Sequence, residues 1–122
     1  MISFSAILIC DRDQLFREAL RNFLLAAGYS HVEVVATGRE ALALFRRERF
    51  GCVMIGMSRP FSYEQRLAAI ARRRQPDAKI FVLVAAADQP FIRNTAFKYL
   101  IKEHIFSNIL ELLEEQERKS SA

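Results

Sequence analysis

The chain has 122 residues, room for one compact domain and too few for two. It is 52% hydrophobic and 26% charged, with 18 Lys+Arg against 14 Asp+Glu, a net charge of +4. These values fit a globular protein that buries a core without staples, and the mild basicity is no nucleic-acid signature by itself.

The chain opens on Ala6–Cys10, whose apolar run Ile7-Leu8-Ile9 predicts a first strand rather than a signal peptide, since no basic segment precedes it and Asp11 interrupts it. No stretch is long enough for a membrane span, so the cytoplasm is the expected compartment. Asp13 is placed to cap a helix over Gln14–Ala27, with Phe16, Ala19, Leu20, Phe23, Leu24 and Ala27 at the helical period and Gly28 as the stop. Val32–Ala36 is the second strand. Thr37 and Glu40 form a capping box for a second helix, Arg39–Arg49, that buries Ala41, Leu42, Leu44 and Phe45.

Cys52–Ile55 is apolar at every position, as in a central strand covered by helices on both faces, and Gly56 ends it. In an open parallel sheet the carboxyl ends of the strands carry the chemistry, and Gly56 brings no side chain there. A loop over Pro60–Ser62 leads to a third helix, Tyr63–Arg74, presenting Leu67, Ile70 and Ala71 and ending before Pro76. Lys79–Ala85 is a fourth buried strand. Asp88-Gln89-Pro90 starts a short fourth helix, Gln89–Thr95, with Asp88 as its cap. Lys98–Ile101 is a fifth strand, and a fifth helix over His104–Glu117 buries Ile105, Ile109, Leu112 and Leu113. The domain therefore spans residues 1–117, and 118–122 is a polar tail.

Strands alternating with helices predict an α/β fold, a doubly wound parallel sheet with helices on both faces. Cys10 and Cys52 fall at opposite ends of their strands, beyond disulfide reach, and read as buried thiols. His31 and His104 stand apart from the cysteines, without metal-ligand spacing. The glycines form no dinucleotide or phosphate-loop fingerprint, and neither Ser58 nor Ser62 has an activating base nearby in sequence.

Ile7-Leu8-Ile9-Cys10-Asp11, Phe16-Arg17-Glu18-Ala19-Leu20, Gly38-Arg39-Glu40-Ala41-Leu42, Val53-Met54-Ile55-Gly56-Met57-Ser58-Arg59-Pro60 and Tyr99-Leu100-Ile101-Lys102 occur in an order that resembles receiver domains of bacterial two-component response regulators. The likeness runs from about Ala6 to Glu115. It implies a flavodoxin-like (CheY-like) fold of five parallel strands in the order 2-1-3-4-5. It also implies a Mg²⁺-holding pocket of two carboxylates after strand one and a phosphoacceptor aspartate ending strand three. A Thr or Ser on strand four and a Lys after strand five would complete it, with an aromatic on strand five that changes rotamer.

On that pattern Asp11 and Asp13 keep acidic character, but Arg12 stands where a second carboxylate is usual, Gly56 where the acceptor belongs and Val84 where the hydroxyl belongs. Lys102 and Tyr99 are kept, Glu103 replaces a common proline, and the segment from Val84 to Lys102 is about four residues short, which makes helix four short or degenerate. Glycine cannot form an acyl phosphate, and an arginine beside Asp11 disfavours a divalent cation, so Mg²⁺ binding is expected to be lost or weak. The chain thus resembles an atypical, phosphorylation-independent receiver that is not an enzyme.

Arg12 either replaces the metal by pairing with Asp11 or is a solvated loop residue. Lys102 either pairs with Asp11 or is exposed, and Tyr99 is either a rotor or a fixed aromatic. The resemblance implies a partner or homodimer face built by helix four, strand five and helix five, with Phe91, Phe97, Leu100, Phe106 and Leu110 as its apolar content. The clusters Arg46, Arg47, Arg49 and Arg72, Arg73, Arg74 lie at the opposite edge of the sheet and read as an anion patch or as cations favoured at helix C-termini. Two rival functions stay open: a conventional phospho-switch with Asp11 or Asp13 as a displaced acceptor, and a small basic nucleic-acid-binding protein.

Overall fold

A computed structural model describes residues 6–93 and 96–121, with side chains to 115. The apolar run at the start forms β1 (Ile7–Cys10), which pairs in parallel with β2 (Val32–Val35) on one side and β3 (Cys52–Gly56) on the other. β3 pairs with β4 (Lys79–Val84), and β4 with β5 (Lys98–Ile101), giving a five-stranded parallel sheet in the order β2-β1-β3-β4-β5, as the sequence predicts. Cys10 stands beside Ile55 and Ile7 beside Cys52, so the two thiols are three rungs apart and both are free.

The unbroken apolar runs split by alternation. Leu8, Val53, Ile55, Val82 and Val84 point to one face, under α2 (Gly38–Phe45) and α3 (Ser62–Arg74). Ile7, Ile9, Cys52, Met54, Phe81 and Leu83 point to the other, under α1 (Gln14–Ala26) and α4 (Ile105–Ser121). Two covered faces are why these strands show no polar alternation in sequence.

The caps follow the sequence. The Asp13 carboxylate accepts from the Phe16 N–H, and the Thr37–Glu40 capping box is complete. α1 ends with Gly28 at φ 108°, where Gly28 and Tyr29 donate to the carbonyls of Leu25 and Leu24 as in a Schellman motif. Ala19, placed inward by periodicity, is exposed.

Three elements differ by more than one residue at a boundary. α2 stops at Phe45 rather than Arg49, because Gln75, 2% exposed, donates to the carbonyls of Phe45 and Glu48 while its own carbonyl accepts from the Phe50 N–H at 2.9 Å. That side chain turns the chain from α2 into β3. The expected fourth helix with Asp88 as cap is instead a 3₁₀ segment, Ala86–Phe91, with Asp88 inside it and paired to Arg59; the expected end at Thr95 lies outside the described residues. α4 begins after a 3₁₀ turn, Lys102–His104, and its backbone stays helical to Ser121, past Glu117, where polar but helix-favouring residues continue. The β3–α3 loop bends at Phe61, φ 75°, whose side chain is buried in the core beneath α3. Burial offsets the roughly 1–3 kcal/mol that a left-handed bulky residue costs.

No helix among the described residues is long and apolar enough to cross a membrane.

Candidate functional site at the C-terminal edge of the sheet

Asp11 follows β1 directly, fixed by its N–H to the Val35 carbonyl, and is 4% exposed. Its Oδ1 accepts from the Asp13 N–H at 2.9 Å, while Arg17 donates to the backbone carbonyls of Asp11 and Arg12. Its Oδ2 lies 2.7 Å from Nζ of Lys102, which also sits 4.7 Å from the centre of the Phe16 ring. The chain thus supplies its own cation to this carboxylate, and that cation is Lys102. Arg12 is exposed and forms no ion pair among the described residues, so a metal-replacing Arg12–Asp11 pair is not what the fold builds. Lys102, at the end of β5, takes that place, while Arg12, exposed in the loop, lines the cavities beside the carboxylate.

Gly56 closes β3 beside this pair. A Cβ at Gly56 would stand 1.9 Å from Asp11 Oδ2 and 2.4 Å from its Cγ. The Asp11 carboxylate therefore fills the space that a strand-three side chain needs. Asp13 turns its carboxylate to the start of α1. Val84 is fully buried at the end of β4, beside Ile101, within the core cluster of the α2/α3 face.

Glu64 joins the site without having been singled out by sequence. It lies in the first turn of α3, is 8% exposed, and has no hydrogen-bond or ion-pair partner among the described residues. It lines two adjoining cavities. One, of about 150 Å³, is bounded by Asp11, Arg12, Asp13, Gly56, Met57, Ser58, Glu64 and Lys102. The other, of about 240 Å³, runs from Asp11, Arg12 and Gly56 to Thr37 and Gly38 at the start of α2, beside Tyr63. Its signal in sequence was available: a carboxylate in the first turn of the helix that follows β3 starts at the same sheet edge. Burial pushes the Cys10 thiol up to about 12, helped by the nearby carboxylates of Asp11, Glu40 and Glu64, and burial raises Cys52 further. Neither is a nucleophile.

Tyr99 on β5 is half-buried against the α2/α3 face, and its hydroxyl is buried without a hydrogen-bond partner. The expected contact face does not gather as one patch. Phe91 is 50% exposed and carries Arg59 over its ring at 4.5 Å. Phe97 lies under the guanidinium of Arg72, Leu100 is buried, and Leu110 is half-buried in the α1/α4 core. Phe106 packs edge-on against Phe16 and Phe23, so it belongs to the α1–α4 seam. A groove of about 330 Å³ does run between β5 and α4, past Lys98, Tyr99, Leu112 and Glu115.

The arginine clusters are partly spent on packing. Arg49 donates to the Arg74 carbonyl at the end of α3, and Arg72 to the Ala96 carbonyl; Arg46, Arg47, Arg73 and Arg74 have exposed side chains. His31, isolated in sequence, meets Glu33 and Glu48 at 3.3 and 3.1 Å on the surface. His104 is exposed.

The family model for the response regulator receiver domain matches residues 7–114. The response regulator protein FleR of Pseudomonas aeruginosa is 29% identical over 111 residues, covering 88% of this chain and 23% of FleR, so the chain spans about a quarter of that relative's length. The response regulator TrrA of Thermotoga maritima, solved in complex with Mg²⁺ and BeF, superposes with a TM-score of 0.75 at 25% identity over 91% of this chain and 97% of that one. TrrA has also been solved bound to the histidine kinase ThkA. A CheY-like receiver domain protein of Methanospirillum hungatei gives 0.73 at 26% identity over 96% and 99%. A five-stranded 2-1-3-4-5 sheet, an acidic residue at the end of β1 and a lysine after β5 thus coincide with a family match over nearly the whole chain, and the chain belongs to the response regulator receiver domains.

Proposed function

We propose that this receiver domain is an atypical, phosphorylation-independent interaction module of a two-component-type pathway in the cytoplasm, acting by protein contact and without catalysis. The observation that carries the reading is Asp11. Its carboxylate occupies the space of a strand-three side chain and is already neutralised by Lys102 at 2.7 Å. In the family that lysine contacts the phosphoryl group; here it is engaged before any phosphoryl group arrives.

The Mg²⁺ of the family fits these residues poorly. One Asp11 oxygen holds the Asp13 N–H, the other faces Lys102, Gly56 offers no side-chain oxygen, and Arg12 replaces a carboxylate. A hard cation that wants about six oxygens finds too few. Val84 brings no hydroxyl to reward a phosphorylated state.

For the partner, the groove between β5 and α4, with Tyr99 and Leu112 in it, and the exposed Phe91 supply contact area for a protein segment or a second copy. The kinase complex of TrrA is a precedent for protein recognition by the fold. The nucleic-acid reading weakens, because Arg49 and Arg72 bind backbone carbonyls of the chain itself.

The test is intact mass spectrometry after incubation with Mg²⁺ and a small phosphodonor. The wild type is expected to gain no phosphoryl group. A gain that disappears in Asp11→Asn would establish the displaced-acceptor mechanism instead, since Asp11 is the carboxylate standing at the acceptor's place.

A further inference from the structure

We infer a metal site away from the candidate site: His31, Glu33 and Glu48 hold a divalent first-row transition-metal ion, zinc or a close neighbour, at the amino edge of the sheet. His31 comes just before β2 and Glu48 just before β3, whereas Asp11 and Gly56 lie at the carboxyl edge, so the site stands apart from the proposed function.

Three stretches of backbone present the ligands. His31 is fixed through its carbonyl, which accepts from the Ile7 N–H at 2.9 Å. Glu33 lies in β2, beside Leu8 of β1. Two residues apart on an extended chain, these side chains share one face of the sheet. Glu48 comes from the turn after α2. Its N–H donates to the Leu44 carbonyl, and its carbonyl accepts from the buried Gln75 side chain. Each ligand therefore stands on backbone that is held in place before an ion arrives.

The side chains converge on one point. His31 Nε2 lies 3.3 Å from Oε1 of Glu33 and 3.1 Å from Oε1 of Glu48, and ligand atoms of all three residues lie within 4.8 Å of one another. One ring nitrogen offers a single N–H or a single lone pair, so it cannot serve two carboxylate oxygens well. The consequence falls on Glu48, whose Oε1 is buried with no hydrogen-bond partner among the described residues. The neighbouring arginines do not relieve it: Arg49 turns to the Arg74 carbonyl, and among the described residues the ion pairs of Glu33 and Glu48 are those with His31. An ion with several coordination positions satisfies all three atoms at once. With bonds of about 2.0–2.1 Å, a tetrahedral ion spaces its ligands about 3.3 Å apart. The two separations at Nε2 are already close to that, and a turn of one carboxylate closes the third.

The donor set selects the metal. An imidazole nitrogen suits zinc and its first-row neighbours, whereas Mg²⁺ and Ca²⁺ favour oxygen ligands throughout. The three side chains are between 28% and 45% exposed, which gives an ion its entry path and leaves a fourth position for water. Bound there, the ion ties the turn after α2 to the edge strand β2.

The experiment is a Zn²⁺ titration of the untagged full chain, read by calorimetry and by the ring ¹⁵N signals of the two histidines. Expected are saturable binding of one ion, a shift of the His31 ring with His104 unmoved, and no competition from Mg²⁺. His31→Ala should abolish the site. Glu33→Gln and Glu48→Gln should each weaken it at least about tenfold, since even a residue behind a metal ligand is worth about 10–100-fold. His104→Ala, at an exposed position far from the cluster in sequence, should bind as wild type, and amide spectra check the fold of every variant. Zn²⁺ should also raise the Tm of the wild type and leave that of His31→Ala unchanged. Absence of saturable binding, binding undiminished in His31→Ala or in Glu48→Gln, or binding lost in His104→Ala would each overturn the inference.

Discussion

Asp11 and Lys102, from the two loops at the ends of β1 and β5, meet at 2.7 Å beside Gly56, and the Asp11 oxygen in that pair is the atom that a Gly56 side chain would strike at 1.9 Å. Gly56 and Lys102 are therefore linked through one group: the Asp11 carboxylate fills the space beside Gly56 and pairs with Lys102.

Placing a carboxylate at the end of β3 by Gly56→Asp should destabilise the domain for this reason. The new Cβ overlaps Asp11, and the new charge repels it, so a loss of about 1–3 kcal/mol is expected, as for overpacking of a tight site. Urea denaturation measures it. The double variant Gly56→Asp with Asp11→Gly should recover most of the loss; equal stability of the single variant and wild type would show that Asp11 can vacate the space freely.

Lys102→Met removes the cation and keeps an apolar stem near Phe16. It leaves the Asp11 carboxylate buried and unpaired, which in a sealed site costs about 3–5 kcal/mol. The Lys102 side chain is 21% exposed, so solvent screening brings the expectation to about 1–3 kcal/mol. Adding Asp11→Asn should return the protein close to wild-type stability. A double-mutant cycle reads the coupling, and a coupling near zero would mean that the pair is ornamental.

Tyr99→Phe is expected to stabilise the domain by about 1 kcal/mol, because the buried hydroxyl has no partner and its desolvation is uncompensated. A loss of stability of similar size would point to a water or partner group bound to that hydroxyl.

Glu103 accepts the Ala86 N–H at 2.9 Å and so ties the loop after β5 to the 3₁₀ segment. That bond, followed by the neighbouring backbone N–H of Glu103 itself, holds its carboxyl below the ordinary 4.5. A lowered folded value means that the stabilisation is complete above about pH 4.5 and disappears as the pH falls through the lower folded value. Carboxyl-detected NMR titration should show Glu103 titrating below 4.5, with the Ala86 amide shift following it; the Glu103→Gln variant should lose the Ala86 response.

The architecture was open to reading because two periodicities carry it. Ile7–Cys10, Cys52–Ile55 and Lys79–Val84 announce buried parallel strands, and Asp13, Thr37, Glu40 and Gly28 announce helix ends with atoms that the structure uses as expected. Boundaries slipped where a distant side chain intervened. α2 ends early because Gln75, 30 residues beyond Phe45, takes its carbonyl. The segment after β4 became a 3₁₀ turn because it is short, Pro90 lies within it, and Asp88 and Ala86 are claimed by Arg59 and Glu103.

For the candidate site, the sequence by itself determined the chemistry that each position can offer: glycine at 56, valine at 84, a lysine at 102 and acids at 11 and 13. Those identities follow from local patterns and chain order. Only the tertiary structure decided what the remaining groups do, since partnership depends on which loops the sheet brings together. It gave Asp11 to Lys102 and left Arg12 in solvent. It scattered the apolar residues of the expected contact face, sending Phe106 to the α1–α4 seam. It buried Glu64 without a partner beside a cavity. Burial and pairing are properties of distance, and distance between residues far apart in the chain is fixed only when the strands have taken their places.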